Sequence, residues 1–155
     1  MPMAAAESVP PGVVGIRAAD AEDAATLADL AAQLGYAGSA DAMRSRLAQV
    51  DGVVLVAVRE VDGSVLGFAH VRRHAGLLAM PYGWLQSLVV DAASRGRGAG
   101  AALLAAVEAW ARAEGLHELR VDSNVARERS HRFYLRQGYV ERKRQCVFVR
   151  ALEAG

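Results

Sequence analysis

Apolar and polar positions along the chain alternate with two different periods. "VVGIR", from Val13 to Arg17, is a β-branched run and predicts a strand. "DAEDAATLADLAAQLGY" then sets Leu27, Leu30, Ala31 and Leu34 at helical spacing, with Asp20 as N-cap and Asp23 at the capping-box position where Glu or Gln is usual. Gly35 stops that helix. "SADAMRSRLAQV" predicts a second short helix capped by Ser39. "GVVLVAVREVDGSVLGFAHVRR" holds two β-branched runs around Val61-Asp62-Gly63-Ser64, a hairpin signal. "YGWLQSLVVD" is a further strand ending near Asp91. After a glycine-rich loop, Leu103, Leu104, Val107, Trp110 and Ala111 form one stripe of a helix that Gly115 ends. "LHELRVDSN" reads as a strand, "RERSHRFYLRQG" as a helix closed by Gly138, and "YVERKRQCVFVRAL" as a final strand or hairpin arm. The predicted order is β-α-α-β-β-β-α-β-α-β, and residues 82–123 form a strand–helix–strand unit with a right-handed parallel crossover.

Composition narrows the class. A chain of 155 residues that is 53% hydrophobic can bury a core of its own, and with 6% aromatics that core is mostly aliphatic. Residues 1–12 ("MPMAAAESVPPG") read as a loose leader without the basic start and apolar stretch of a signal peptide, and residues 13–155 as one α/β domain. No apolar run is long enough to span a bilayer. The single cysteine, Cys146, excludes an internal disulfide framework and a cysteine-rich metal site. His70, His74 and His117 have no second ligand at metal spacing, so no metal is expected. A cytoplasmic protein is the simplest expectation.

Net charge is only +1, but its distribution is uneven. Residues 1–65 carry 4 basic and 9 acidic side chains, whereas residues 120–150 carry 9 basic and 3 acidic ones. This asymmetry fits an anionic ligand near the C-terminal third as well as a solvated arginine-rich surface. Neither an overall basic balance nor a docking motif points to nucleic acid.

The stretch "DAASRGRGAGAALL" is the candidate for chemistry. Helix N-termini carry unpaired amides and partial positive charge, so phosphates settle there. Gly96, Gly98 and Gly100 would supply positive φ and close approach, and Arg95 and Arg97 charge-assisted hydrogen bonds. A nucleoside-triphosphate loop is excluded, because no Gly-Lys-Ser/Thr follows. The G-x-G-x-x-A of a dinucleotide fold fits Gly96, Gly98 and Ala101, with Asp122 downstream. However, five residues separate the strand end from the first glycine, and no second mononucleotide-binding half exists.

Arg95-x-x-Gly98-x-Gly100, preceded by "LVVD" and followed by an alanine- and leucine-rich helix, resembles the acyl-CoA loop of the GNAT superfamily of N-acetyltransferases. "SNVARERSHRFYLRQGY" resembles the same family's penultimate helix. Element order agrees from about Val13 to Leu152. The resemblance implies a GNAT-like α/β fold: a mixed central sheet with a splayed parallel strand pair and helices on both faces. It also implies acetyl-CoA as co-substrate, held by Arg95, Gly96, Arg97, Gly98, Ala99, Gly100 and Ala101. The pantetheine arm would pair with the backbone of Leu88, Val89 and Val90, a form of β-augmentation. Homodimers are common in similar proteins.

By the same resemblance Tyr134 would protonate the departing thiolate, and a backbone N–H near Leu88 or Val89 would hold the oxyanion. Where many members carry a glutamate base, this chain has Gln86, which can orient a water or the amine but takes no proton. Water relay, His131 and Asp122 are the alternatives for the base. The family asparagine position is occupied by Arg127, and Asn124 either serves the pantetheine arm from three residues earlier or caps the helix. Ser130 would face the cofactor, and Arg136 either the adenosine phosphates or solvent. Cys146 lies outside both motifs, which argues against a covalent acetyl-cysteine. The expected reaction is direct attack of a primary amine, from a small molecule or a peptide, on acetyl-CoA. The acceptor would be bounded by residues 30–50 and the "RRHAGLLAMPYGW" loop, which carry Tyr36, Met43, Met80, Tyr82 and Trp84. The alternative is a non-catalytic CoA-binding sensor on the same fold.

Overall fold

Val14–Ala18 (β1), Val53–Arg59 (β2), Val65–His74 (β3), Tyr82–Val90 (β4) and Leu119–Val121 (β5) form one sheet in chain order. Neighbours are antiparallel as far as β4, and β4 and β5 run parallel. The helices are Ala24–Gln33 (α1), Ala40–Leu47 (α2), Ala99–Ala113 (α3) and Glu128–Arg136 (α4). This computed structural model describes residues 13–154, so the leader expected at 1–12 lies outside the described residues. The chain divides into two compact units, one ending at Asp122 and the other beginning at Ser123.

In the first unit the sheet is sandwiched between helices. Cross-strand register puts Val56, Phe68 and Val89 on one face, where they pack with Leu27 and Leu30 of α1. Ala57, Ala69, Val71 and Leu85 are buried on the opposite face. There, a side chain at Gly83 would meet Ala111 of α3. The predicted α3 stripe holds: Leu103, Leu104, Val107 and Ala111 are buried. The β2–β3 turn has Gly63 at φ +72°, and Asp62 Oδ1 accepts from the Ser64 N–H at 3.0 Å. The expected parallel crossover between β4 and β5 is present.

The start of α1 follows the capping prediction, through a 3-10 turn at Ala21–Asp23. Asp20 Oδ1 accepts from the Glu22 N–H, and Asp23 Oδ2 from the Asp20 N–H, each at 2.8 Å. Asp23 has a second task. Arg17 of β1 donates to both its oxygens, at 2.8 and 2.9 Å, tying the first strand to the helix. The Arg17 guanidinium holds the buried Asp23 carboxyl below the usual carboxylate range. Its contribution to stability is complete above the ordinary aspartate value of about 3.9 and is lost as pH falls through the lower folded value. Asp23→Asn removes the charge and turns a donor toward donors. It is expected to cost about 2 kcal/mol at neutral pH, and less in acid, by denaturant titration at the two pH values.

Two sequence expectations are corrected. The segment read as a final strand carries no regular structure of its own in the second unit. Val147, Phe148 and Val149 are 86%, 92% and 88% exposed. β-branched and aromatic residues fit a pleated, half-buried surface, but a strand also needs a ladder partner. Gly100, expected at positive φ, is instead a residue of α3, because the helix begins at Ala99 and only Gly96 and Gly98 make the turn.

Candidate functional site

β4 is interrupted once, at Gln86. Val71 pairs with Leu85 and His70 with Ser87, leaving the exposed Gln86 as the extra residue of a bulge. A bulge bends its strand and resets which side chains face each side. Leu85 therefore lies on the α3 face and Val89 on the α1 face, although strict alternation would place both together. The parallel pairing with β5 ends at Leu85–Val121, yet β4 continues to Val90. Leu88, Val89 and Val90 thus lie on a stretch of β4 beyond its pairing with β5.

Beyond β4, Ala92–Ser94 form a 3-10 turn, and Arg95 is extended. Gly96 and Gly98 follow at φ +79° and +87°. Nothing lies within 4 Å of where a Cβ would sit at either glycine. The glycines are therefore set by backbone conformation and leave open space beside the loop. Gly98 is the N-cap of α3 and offers no side-chain cap, so the first amides of a 15-residue helix look out from this loop. Ala99 is buried and Ala101 half-buried. Arg95 and Arg97 are exposed, and neither pairs with a carboxylate among the described residues. Unpaired guanidiniums beside free amides suit a diphosphate.

The loop is anchored at its upstream end from a distance in sequence. Gln33, the last residue of α1, donates through Nε2 to Asp91 Oδ1 at 2.8 Å and accepts through Oε1 from the Ala92 N–H at 2.9 Å. Ser94 Oγ donates to Asp91 Oδ2 at 3.2 Å, and the Asp91 N–H donates to the Leu66 carbonyl at 2.8 Å. The Gln33 bond holds the Asp91 carboxyl below its ordinary range. Sequence reasoning missed this contact, since no local pattern joins residues 58 positions apart.

A second feature it missed lies on β3, β4 and β5. The Arg72 guanidinium sits over the Trp84 ring at 5.0 Å, and Arg120 over Tyr82 at 3.9 Å. His74 touches both rings, at centroid distances of 4.8 Å to Tyr82 and 5.6 Å to Trp84. Arg120 is also paired with Glu118. The lining expected to be apolar and aromatic is thus partly cationic. Tyr36 and Met80 are exposed, and Met43 packs against the α1 core cluster. His70 Nε2 meets the Asp51 carbonyl at 2.7 Å, as expected for a structural histidine. Among the described residues no group of three His, Cys, Asp or Glu could hold a metal, and no helix is long and apolar enough to cross a membrane.

The second unit carries the other candidates. Tyr134 on α4 is half-buried, with its ring 5.3 Å from Phe133 and 5.7 Å from Tyr139. Burial pushes its phenol up to about 12, against a smaller opposing effect of Arg127. Asn124 Oδ1 accepts from the Ala126 N–H at 2.9 Å, forming a turn ahead of α4, whose N-cap is Arg127. The Asn124 side chain is therefore not the helix cap, and its amide nitrogen stays available. His131 Nε2 meets the Asn124 carbonyl at 2.9 Å. That contact requires Nε2 to donate, since a carbonyl oxygen only accepts. Ser123 Oγ is buried without a partner among the described residues, Ser130 is half-buried, and Asp122 and Arg136 are exposed. Cys146 is exposed, in the segment without regular structure.

A nest of amides, two unpaired arginines and an open strand edge together suit an anionic, amide-bearing ligand. Comparison with known proteins identifies the class: the acetyltransferase (GNAT) family model matches residues 23–139. The chain belongs to the GNAT acetyltransferase family. An aminoglycoside N(6')-acetyltransferase type 1 of Stenotrophomonas maltophilia is 38% identical over 146 residues, covering 89% of this chain and 94% of that protein. An aminoalkylphosphonate N-acetyltransferase of Salmonella typhimurium is 44% identical over 57 residues, 37% of each chain. The structure of the aminoglycoside N-acetyltransferase AAC(6')-Iy in complex with CoA superposes with a TM-score of 0.78 at 23% identity, over 91% of this chain and 97% of that one. This GNAT protein is an acetyl-CoA-dependent N-acetyltransferase that transfers acetyl to an amine. Acetyl-CoA is its co-substrate.

Proposed function

We propose that this GNAT enzyme acetylates the primary amine of a small molecule by direct attack within a ternary complex. The observation that carries the reading is the end of β4–β5 pairing at Leu85–Val121 while β4 runs on to Val90, directly before the glycine turn. Such an edge suits the amides of a pantetheine arm, and the loop of Arg95 to Ala101 suits the diphosphate. Arg95 and Arg97 would add charge, and Asn124 Nδ2, Ser130 and the orphaned Ser123 Oγ would be further polar contacts.

In this reading the amine lone pair attacks the thioester carbonyl carbon. A backbone N–H at Leu88 or Val89 stabilises the oxyanion. As the C–S bond breaks, Tyr134 gives its proton to the thiolate and is later reprotonated from solvent. Gln86 accepts no proton at neutral pH, but its place on the bulge suits it to orient the amine or a water that carries the amine's proton away. Gln86→Ala is expected to lower kcat about tenfold and leave the acetyl-CoA KM within about twofold, by steady-state kinetics.

The Stenotrophomonas relative supports an amino sugar of the aminoglycoside type as acceptor. A second reading has its own observation. Arg72 over Trp84, without a carboxylate partner among the described residues, favours an amine that also carries an acid group, such as an aminoalkylphosphonate. Thiol release from acetyl-CoA is the test, with an aminoglycoside, a polyamine, an aminoalkylphosphonate and a lysine peptide as acceptors. Turnover with one of the first three supports the proposal and chooses between the readings. Turnover with the peptide alone overturns the small-molecule acceptor. Acetyl-CoA raising the melting temperature with no thiol release from any amine would return the sensor alternative.

A further inference from the structure

We propose that Gln33 is a positioning residue for acetyl-CoA, acting through Asp91 and Ala92 to hold the diphosphate loop ready for its ligand. The inference rests on the acetyl-CoA reading of that loop. Arg95, Gly96 and Arg97 are exposed, and neither arginine has a partner among the described residues to steady it. The shape of the loop is therefore set at its two ends. Downstream, Ala99 is buried at the start of α3. Upstream, the turn from Asp91 to Ser94 carries the loop, and Gln33 holds both its carboxylate, at 2.8 Å, and its Ala92 amide, at 2.9 Å.

The two contacts have opposite polarity, donor to Asp91 and acceptor from Ala92, so only a carboxamide serves both. The Ala92 bond keeps that amide turned toward α1, and the Asp91 bond holds a carboxylate in place ahead of a loop meant for anions. Held in advance, the loop is spared an ordering cost when the cofactor binds. The clamp touches neither the reacting carbonyl nor the sulfur, so it affects binding of acetyl-CoA and not the chemical step.

A polarity swap tests this. Gln33→Glu sets two carboxylates against each other where the 2.8 Å hydrogen bond now lies. The double variant Gln33→Glu/Asp91→Asn restores every role in reverse. The new carboxamide at position 91 donates to the new carboxylate at position 33, whose other oxygen accepts from the Ala92 N–H. The carboxamide oxygen accepts from Ser94 Oγ. Gln33→Glu is expected to raise the KM for acetyl-CoA about tenfold with kcat within about twofold, and the double variant to return KM to within about threefold of wild type. Amide exchange across residues 91–98, followed by mass spectrometry without ligand, is expected to speed up in the single variant and slow again in the double.

An unchanged KM in Gln33→Glu, or a double variant no better than the single, overturns the inference. A general loss of stability would lower kcat and melting temperature without this KM-specific rescue, and would also overturn it. If wild-type protein bound no acetyl-CoA, the cofactor reading would fall. The exchange data would then still judge whether Gln33 orders the loop.

Discussion

Tyr134→Phe is expected to lower kcat by about two orders of magnitude or more, the usual contribution of a positioned proton donor. The KM for acetyl-CoA should move by less than about threefold, because the ring that packs beside Phe133 and Tyr139 is retained. Burial supplies the reason to expect a donor here. A phenol pushed up to about 12 keeps its proton throughout the neutral range. The pH profile follows with a definite sign. The donor is active in its protonated form, so kcat should show no decline attributable to Tyr134 below pH of about 10, the value of an unperturbed phenol. A kcat within about twofold of wild type in the phenylalanine variant would remove Tyr134 from the mechanism.

Gly98→Asp is expected to raise the KM for acetyl-CoA by more than about 100-fold. Aspartate tolerates the left-handed region better than most side chains, so the φ of +87° should cost the fold only about 1–2 kcal/mol. Nothing lies within 4 Å of the position its Cβ would take, so the loop need not rearrange. The new carboxylate would stand at the N-cap of α3, in the open space beside the amides and the two unpaired arginines. Gly98→Asn is the matched control. It keeps the size and backbone cost but adds no charge, and a rise of only about tenfold is expected. The difference between the two variants should shrink as ionic strength rises. Equal KM values in the aspartate and asparagine variants would mean that no anion binds at this turn.

Much of this architecture was legible in the chain because it is written locally. The capping box at Asp20 and Asp23, the Asp62-Gly63 turn, and the stripe of Leu103, Leu104, Val107 and Ala111 each lie within one short window. The glycine turn was legible in part: residue type permits positive φ and Gly96 and Gly98 use it, whereas Gly100, which carried the same expectation, is helical. Features made by pairing distant segments were not legible. The bulge at Gln86 exists only in the register between β3 and β4, and "YGWLQSLVVD" alone reads as an uninterrupted strand. The Gln33–Asp91 bond and the guanidiniums over Tyr82 and Trp84 likewise depend on which elements meet. The C-terminal run shows the converse: "CVFV" has every local mark of a strand and carries no regular structure of its own in the second unit. The base remained open for a chemical reason. Gln86 cannot accept a proton, and a water relay leaves no mark on the residue types.

The most direct measurement is a crystal structure of the protein grown with acetyl-CoA. The predicted density places the diphosphate on the main-chain amides between Gly96 and Gly100, the pantetheine arm along Leu88 to Val90, and the sulfur within hydrogen-bonding reach of the Tyr134 hydroxyl. A glycine turn without phosphate, or a sulfur well beyond reach of that phenol, would contradict the account.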